Sequence, residues 1–211
     1  MNKVSKKVTT IAWFLLCCLA LAACNDEKLA KQMEGTWCGS YKTAYDNGAK
    51  ETIEKTITFH YDENDEWKDG GTFEEMLSGN AKDIELIFAD GTMNCRYHSY
   101  IKGTWSVDFG DLYLTYNVTT LEVEINNRDV DLKLDRFADQ LGMAGYMMET
   151  LSDPKDDIVK ETKKTLYKDL FRQYKQHNAD EAAFGDLKVS ANELSFETDD
   201  LGRMTFSKVR Q

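Results

Sequence analysis

From Glu34 to Leu134 the chain alternates apolar and polar residues with a period of two. The clearest stretch puts Ile53, Ile57, Phe59 and Tyr61 on one face, against Thr52, Glu54, Thr56, Thr58 and His60 on the other. Successive side chains of a strand point to opposite sides, so this pattern predicts a strand with one buried face. Further runs predict strands over 72–77, 84–89, 92–107, 112–117, 121–125 and 130–134. Turn residues separate many of them: Asp46-Asn47-Gly48, Lys68-Asp69-Gly70-Gly71, Asp90-Gly91, Phe109-Gly110-Asp111 and Asn126-Asn127. Short strands joined by tight turns predict a mainly β protein built as an antiparallel meander. A sheet of this length must curl into a barrel or sandwich to bury one face and remove its edges.

The period then changes. Phe137, Leu141, Ala144, Met148 and Leu151 recur at helical spacing, with Met143 and Met147 beside them. Asp153-Pro154 supplies an N-cap and a proline at the first helical position, and Asp156 and Asp157 suit the positive end of the dipole. Val159, Thr162, Leu166, Leu170 and Tyr174 continue an apolar stripe to about His177. Strand signals return at 187–189, 193–198 and 203–209. Two helices over 136–183 are therefore an insertion in one domain, since about 45 residues could hardly bury a core alone.

The N-terminus has a different character. Lys3, Lys6 and Lys7 precede an uncharged run over 8–23 with Ile11-Ala12-Trp13-Phe14-Leu15-Leu16 at its centre. The run is shorter than the roughly 20 residues that span a bilayer core, and it ends in small residues, as an export signal does. Leu21-Ala22-Ala23-Cys24 resembles a bacterial lipoprotein signal. The resemblance implies cleavage after residue 23 and lipid on Cys24, with 24–32 a lipidated tether and 33–211 the folded domain. Three acyl chains exceed the two-signal minimum for stable anchoring. Asn25-Asp26-Glu27 after that cysteine resembles the surface-export signal of Bacteroidetes lipoproteins. The expected location is the outer membrane, with the cell surface as its favoured side.

Charge narrows the partners. The chain carries 26 basic against 37 acidic residues, a net −11, and loss of 1–23 would remove three lysines and no acid. Such an acidic body argues against nucleic acid, which needs a basic footprint. It also leaves the lipid alone to attach the protein to a membrane. Cys38 and Cys95 remain beyond the signal and Cys24. A disulfide between them would close a loop of about 60 residues, worth roughly 4 kcal/mol on the entropic model; two free thiols packed as small apolar groups is the alternative. No C-x-x-C or His pairing accompanies them, so no zinc or redox site is expected.

Met33-Glu34-Gly35-Thr36-Trp37 resembles the first-strand Gly-x-Trp of lipocalins and related calycins. In that family the Trp plugs the closed end of a ligand-binding barrel. The order of elements over 31–211 is similar too: a Gly-x-Trp strand, a meander, a helical segment and closing strand structure. The helical insertion is longer than the family's, more than one strand follows it, and no Thr-Asp-Tyr motif is evident. Gly103-Thr104-Trp105 repeats the motif in mid-chain, where Trp105 is expected to fill the barrel interior.

Little else announces chemistry. Asp62-Glu63-Asn64-Asp65-Glu66 supplies oxygen ligands at positions 1, 3 and 5 of a calcium loop. Trp67 stands where that loop needs glycine, and Phe73 where it needs a bidentate Glu, which leaves a solvated turn as the favoured reading. His60, His98 and His177 show no metal spacing. No nucleophile elbow, Walker loop or dinucleotide-binding glycine pattern is present, so no catalysis, metal or cofactor is expected. A small barrel either fills with side chains or holds one ligand. The expectation is a small apolar or amphipathic ligand facing Ile57, Phe59, Tyr61, Tyr97 and Tyr113. Met143, Met147 and Met148 form a plastic apolar surface, suited to cladding the barrel wall or to a lid. The alternative function is a non-catalytic interaction protein, with the helical insertion holding a protein or glycan partner.

Overall fold

The computed structural model describes residues 26–45, 48–64, 68–85, 91–134, 154–180, 183–199 and 201–210. A first helix, α1, spans 26–33. Strands β1 (Gly35–Ala44), β2 (Lys50–Tyr61), β3 (Gly70–Glu85), β4 (Gly91–Asp108) and β5 (Asp111–Glu124) follow as a meander. After a short 3-10 turn come β6 (Val130–Leu134), a long helix α2 (Pro154–Asp180), and β7 (Ala183–Val189), β8 (Glu193–Thr198) and β9 (Gly202–Lys208). Eight strands close into an antiparallel barrel in the order β1-β2-β3-β4-β5-β7-β8-β9, with β9 returning to β1. β6 is a ninth strand on the first half of β4.

The strand lengths decide the shape. β2 to β5 run for 12 to 18 residues, whereas β7 to β9 have 6 or 7. Ring closure is correspondingly local: β1 meets β9 only at Trp37↔Lys208 and Cys38↔Ser207, and β5 meets β7 only at Leu112↔Phe184 and Tyr113↔Ala183. Beyond those pairs β5 would present an open edge. The C-terminal turns of α2 cover it. Asn178 accepts a hydrogen bond from the Tyr116 amide at 2.8 Å and donates to the Tyr116 carbonyl at 2.7 Å. His177 Nε2 donates to the Leu114 carbonyl at 3.1 Å. Two side chains thus stand in for a missing strand, which is how an otherwise sticky edge is satisfied.

Odd-numbered residues of β1 to β4 face inward, as the alternating burial of each strand records. At the closed end Trp37, Ile57, Phe59, Phe73, Trp105 and Phe206 are buried in one core. Trp37 is fully buried, its indole donates to the Met33 carbonyl at 2.7 Å, and the Lys208 ammonium lies 4.8 Å from its ring centre. Helix α1 seals this end with Ala30 and Met33, both without exposure. A smaller cluster, Met93, Cys95, Val130 and Val159, packs the other end of the barrel against α2.

Several expectations need correcting. The runs 72–77 and 84–89 were expected as two strands, but β3 is continuous from Gly70 to Glu85, with a bulge near Asp83, whose φ is +56°. Likewise 112–117 and 121–125 belong to one strand, β5, which bulges opposite Ile101 and so changes its inward parity. Residues 26–32 of the expected 24–32 lipidated tether are helical and docked. Asp26 is buried, and its carboxylate accepts from the amides of Phe109 and Gly110, both at 3.1 Å. The helix expected over 154–177 is α2, which begins at Pro154. The first helix of the insertion and Met143, Met147 and Met148 lie outside the described residues, as does Cys24.

Candidate functional site

At the end opposite Trp37 the barrel holds a cavity of about 270 Å³. One row of cross-strand neighbours builds part of its wall: Glu51 on β2 pairs with Ala81 on β3, which pairs with Cys95 on β4. Small side chains leave the space. Ala49, Ala81 and Cys95 line it with Ile84 and Ile125, and Thr162 and Leu166 of α2 close it. The polar lining is Thr162, the exposed Lys50 at the start of β2, and one cluster in which Glu51 meets Tyr45 and Tyr97.

Glu51 is 8% exposed, and both its oxygens accept a phenol: Tyr45 donates to Oε2 at 2.6 Å and Tyr97 to Oε1 at 2.8 Å. Tyr97 reaches β2 from β4 across the intervening strand. Burial, then the Glu51 charge, then the hydrogen bond hold the Tyr97 phenol far above its usual range. Burial and the bond to Glu51 push Tyr45 up to about 12. Both therefore remain neutral, fixed donors toward the carboxylate. Burial first, then the charges of Asp129 and Glu51, push the Cys95 thiol up to about 11, so it behaves as a small apolar group.

A second buried carboxylate lies deeper. Glu75 is 1% exposed; Tyr174 of α2 donates to Oε1 at 2.9 Å, and Tyr116 donates to Oε2 at 3.4 Å. Lys55 forms an ion pair with Oε2 at 3.1 Å. Tyr41 lies near both acids, and burial followed by the charges of Glu75 and Glu51 pushes it up to about 12. The two sites differ in one respect. Glu75 has a cation, whereas among the described residues no cation pairs with Glu51.

The residues expected to face a ligand divide. Tyr97 lines the cavity. Ile57 and Phe59 point inward but belong to the closed-end core, where Phe59 packs edge-on to Trp105 at 5.3 Å. Tyr61 sits at the closed end, its hydroxyl donating to the Lys68 carbonyl at 3.2 Å. Tyr113 is a correction: it lies between the inward Leu112 and Leu114 and so on the outer side of β5. Trp105 fills the interior as expected. The missed residues are Tyr41, Tyr45, Glu51 and Glu75. Their signal was an acid on the apolar parity of a strand: Glu51 in register with Ile53, and Glu75 between Phe73 and Leu77.

The two cysteines are free thiols. Cys38 is on the outer parity of β1, beside Thr56 and Ser207, while Cys95 points inward, so the disulfide is replaced by its alternative. His60 and His98 are exposed and lie opposite Thr72 and Ser78 of β3, about 20 Å apart along the strand. Among the described residues no group of His, Cys, Asp or Glu could hold a metal ion. Within the acidic loop, the Asn64 amide donates to Asp62 at 2.9 Å in an Asx turn. No protein-family model matches the chain, and no curated protein is similar to it in sequence.

Proposed function

We propose that this protein is a lipocalin-like lipoprotein, tethered to the outer membrane through lipid on Cys24, that binds a small apolar or amphipathic ligand without catalysis. The cavity carries this reading. Pockets for small molecules are mostly apolar, with a few fixed polar groups that orient the ligand. Here Ile84, Ile125 and Leu166 supply the apolar wall, and Glu51 with its two tyrosines supplies the polar point. A 150 Å³ apolar cavity holds benzene, so 270 Å³ accommodates roughly ten non-hydrogen atoms. The Trp37 plug at the opposite end supports the family resemblance.

The docked N-terminus supports an orientation. Asp26 is bonded to the β4–β5 turn at the closed end, and Cys24 is two residues away, about 7 Å of extended chain. Lipid on Cys24 would hold the closed end against the membrane, with the cavity directed away from it. Two measurements test the proposal. Cells fed labelled palmitate should label the wild-type protein and not Cys24→Ser; an unlabelled wild type would sink the anchor. Native mass spectrometry should detect a co-purified small molecule that Ala81→Phe, which fills the cavity, abolishes. The same adduct on both proteins would remove the cavity from the account.

A further inference from the structure

We propose that the ligand of this cavity is a small organic cation, a protonated primary amine on an apolar body, with its ammonium against Glu51. The inference rests on the binding role proposed above and adds the chemical class.

The internal comparison between the two buried acids carries it. An ion taken out of water is costly unless paired. The chain meets that cost at Glu75 with Lys55 at 3.1 Å and two phenols. Glu51 is buried too and has two phenols also, at 2.6 and 2.8 Å, but among the described residues it forms no ion pair. Lys50, also in the cavity lining, is exposed on the opposite parity of β2 and does not pair with it. The difference coincides with the cavity: Glu75 has no place in its lining, and Glu51 does. A carboxylate offers about four acceptor positions, and two phenols leave about two. An ammonium supplies donors for those positions and the countercharge that Lys55 supplies to Glu75. The Tyr97 ring beside Glu51 adds a π surface that attracts cations. Ile84, Ile125 and Leu166 require an apolar body behind the charge, which excludes a bare metal ion. A net charge of −11 concentrates cations and repels anions around the protein.

Three probes of one shape separate the terms: 2-phenylethylamine, 2-phenylethanol and phenylacetate, titrated calorimetrically into the purified protein at neutral pH. The amine should bind at least about tenfold more tightly than the alcohol, as charge-assisted bonds exceed neutral ones, and phenylacetate should not bind. Glu51→Gln should lose the amine preference and keep alcohol binding, with thermal melts confirming the fold. Tyr97→Phe, which keeps the carboxylate, should retain the preference and stands in for Glu51→Gln if that variant does not fold. Equal binding of amine and alcohol by the wild type overturns the cation and leaves the cavity reading intact. Absence of binding by every probe, with Ala81→Phe indistinguishable from wild type, overturns both.

Discussion

The phenol ring of Tyr97 lies directly over Gly79, its cross-strand partner on β3. A Cβ at Gly79 would stand 2.1 Å from two ring atoms and 2.6 Å from the hydroxyl. The absent side chain therefore lets a β4 tyrosine cross β3 and reach Glu51 on β2 at 2.8 Å. One glycine thus connects strand pairing to the polar wall of the cavity.

Gly79→Ala should push that ring aside and cost about 1–3 kcal/mol, the range for overpacking a filled site. Urea denaturation measures the loss. In a Tyr97→Ala background the same change should cost much less, because nothing remains to collide. Equal costs in both backgrounds would show that the ring is not what Gly79 accommodates.

The same glycine explains where local reading of the chain stopped. The β2 face, the turn residues, Trp37 and the start of α2 at Pro154 were legible because each signal is local: a period of two, a φ preference, a missing N–H. Alternation over 72–77 and 84–89 predicts two strands with a gap at 78–83, whereas Gly79 in that gap makes room for a ring 18 positions away in sequence. The outward placement of Tyr113 is not legible because both parities of β5 carry large residues, and a bulge changes the inward parity midway. The docking of Asp26 is not legible locally because its partners, Phe109 and Gly110, are more than 80 residues distant. The carboxylates were missed for a related reason. An acid on an apolar face looks like a misfit until the tyrosines from other strands arrive.

Trp37→Ala should destabilise the protein by about 3–5 kcal/mol, as for other fully buried large aromatics. It would open the closed end, free the Met33 carbonyl and remove the ring beneath Lys208. Equilibrium unfolding reads the change, and a loss below about 1 kcal/mol is incompatible with the plug described.

Lys55→Met should leave Glu75 as a buried anion with only phenols around it, at a cost of about 3–5 kcal/mol. Glu75→Leu should cost a similar amount, since it strands Lys55 and the hydroxyls of Tyr116 and Tyr174. The double variant should lose clearly less than the two single losses together, because neither charge is then orphaned. Strict additivity in that cycle would mean that the pair does not interact.

His177 gives a pH dependence with a definite sign. Its ring stacks on Phe184 at 5.1 Å and meets Tyr116 edge-on at 5.2 Å. Burial is the main cause of a pKa lowered from 6.5; Lys55 adds to it, while the Leu114 carbonyl, Glu75 and Asp180 oppose it. The folded state therefore holds fewer protons than the unfolded state just below pH 6.5, so acid favours unfolding there. The contribution is complete above 6.5 and is lost as pH falls through the lowered folded value. Urea midpoints at pH 7.5 and 5.5 should drop further for wild type than for His177→Gln, which keeps a donor for Leu114 but does not titrate. Parallel losses in the two would place the pH response elsewhere and leave His177 as a hydrogen-bonding prop for the β5 edge.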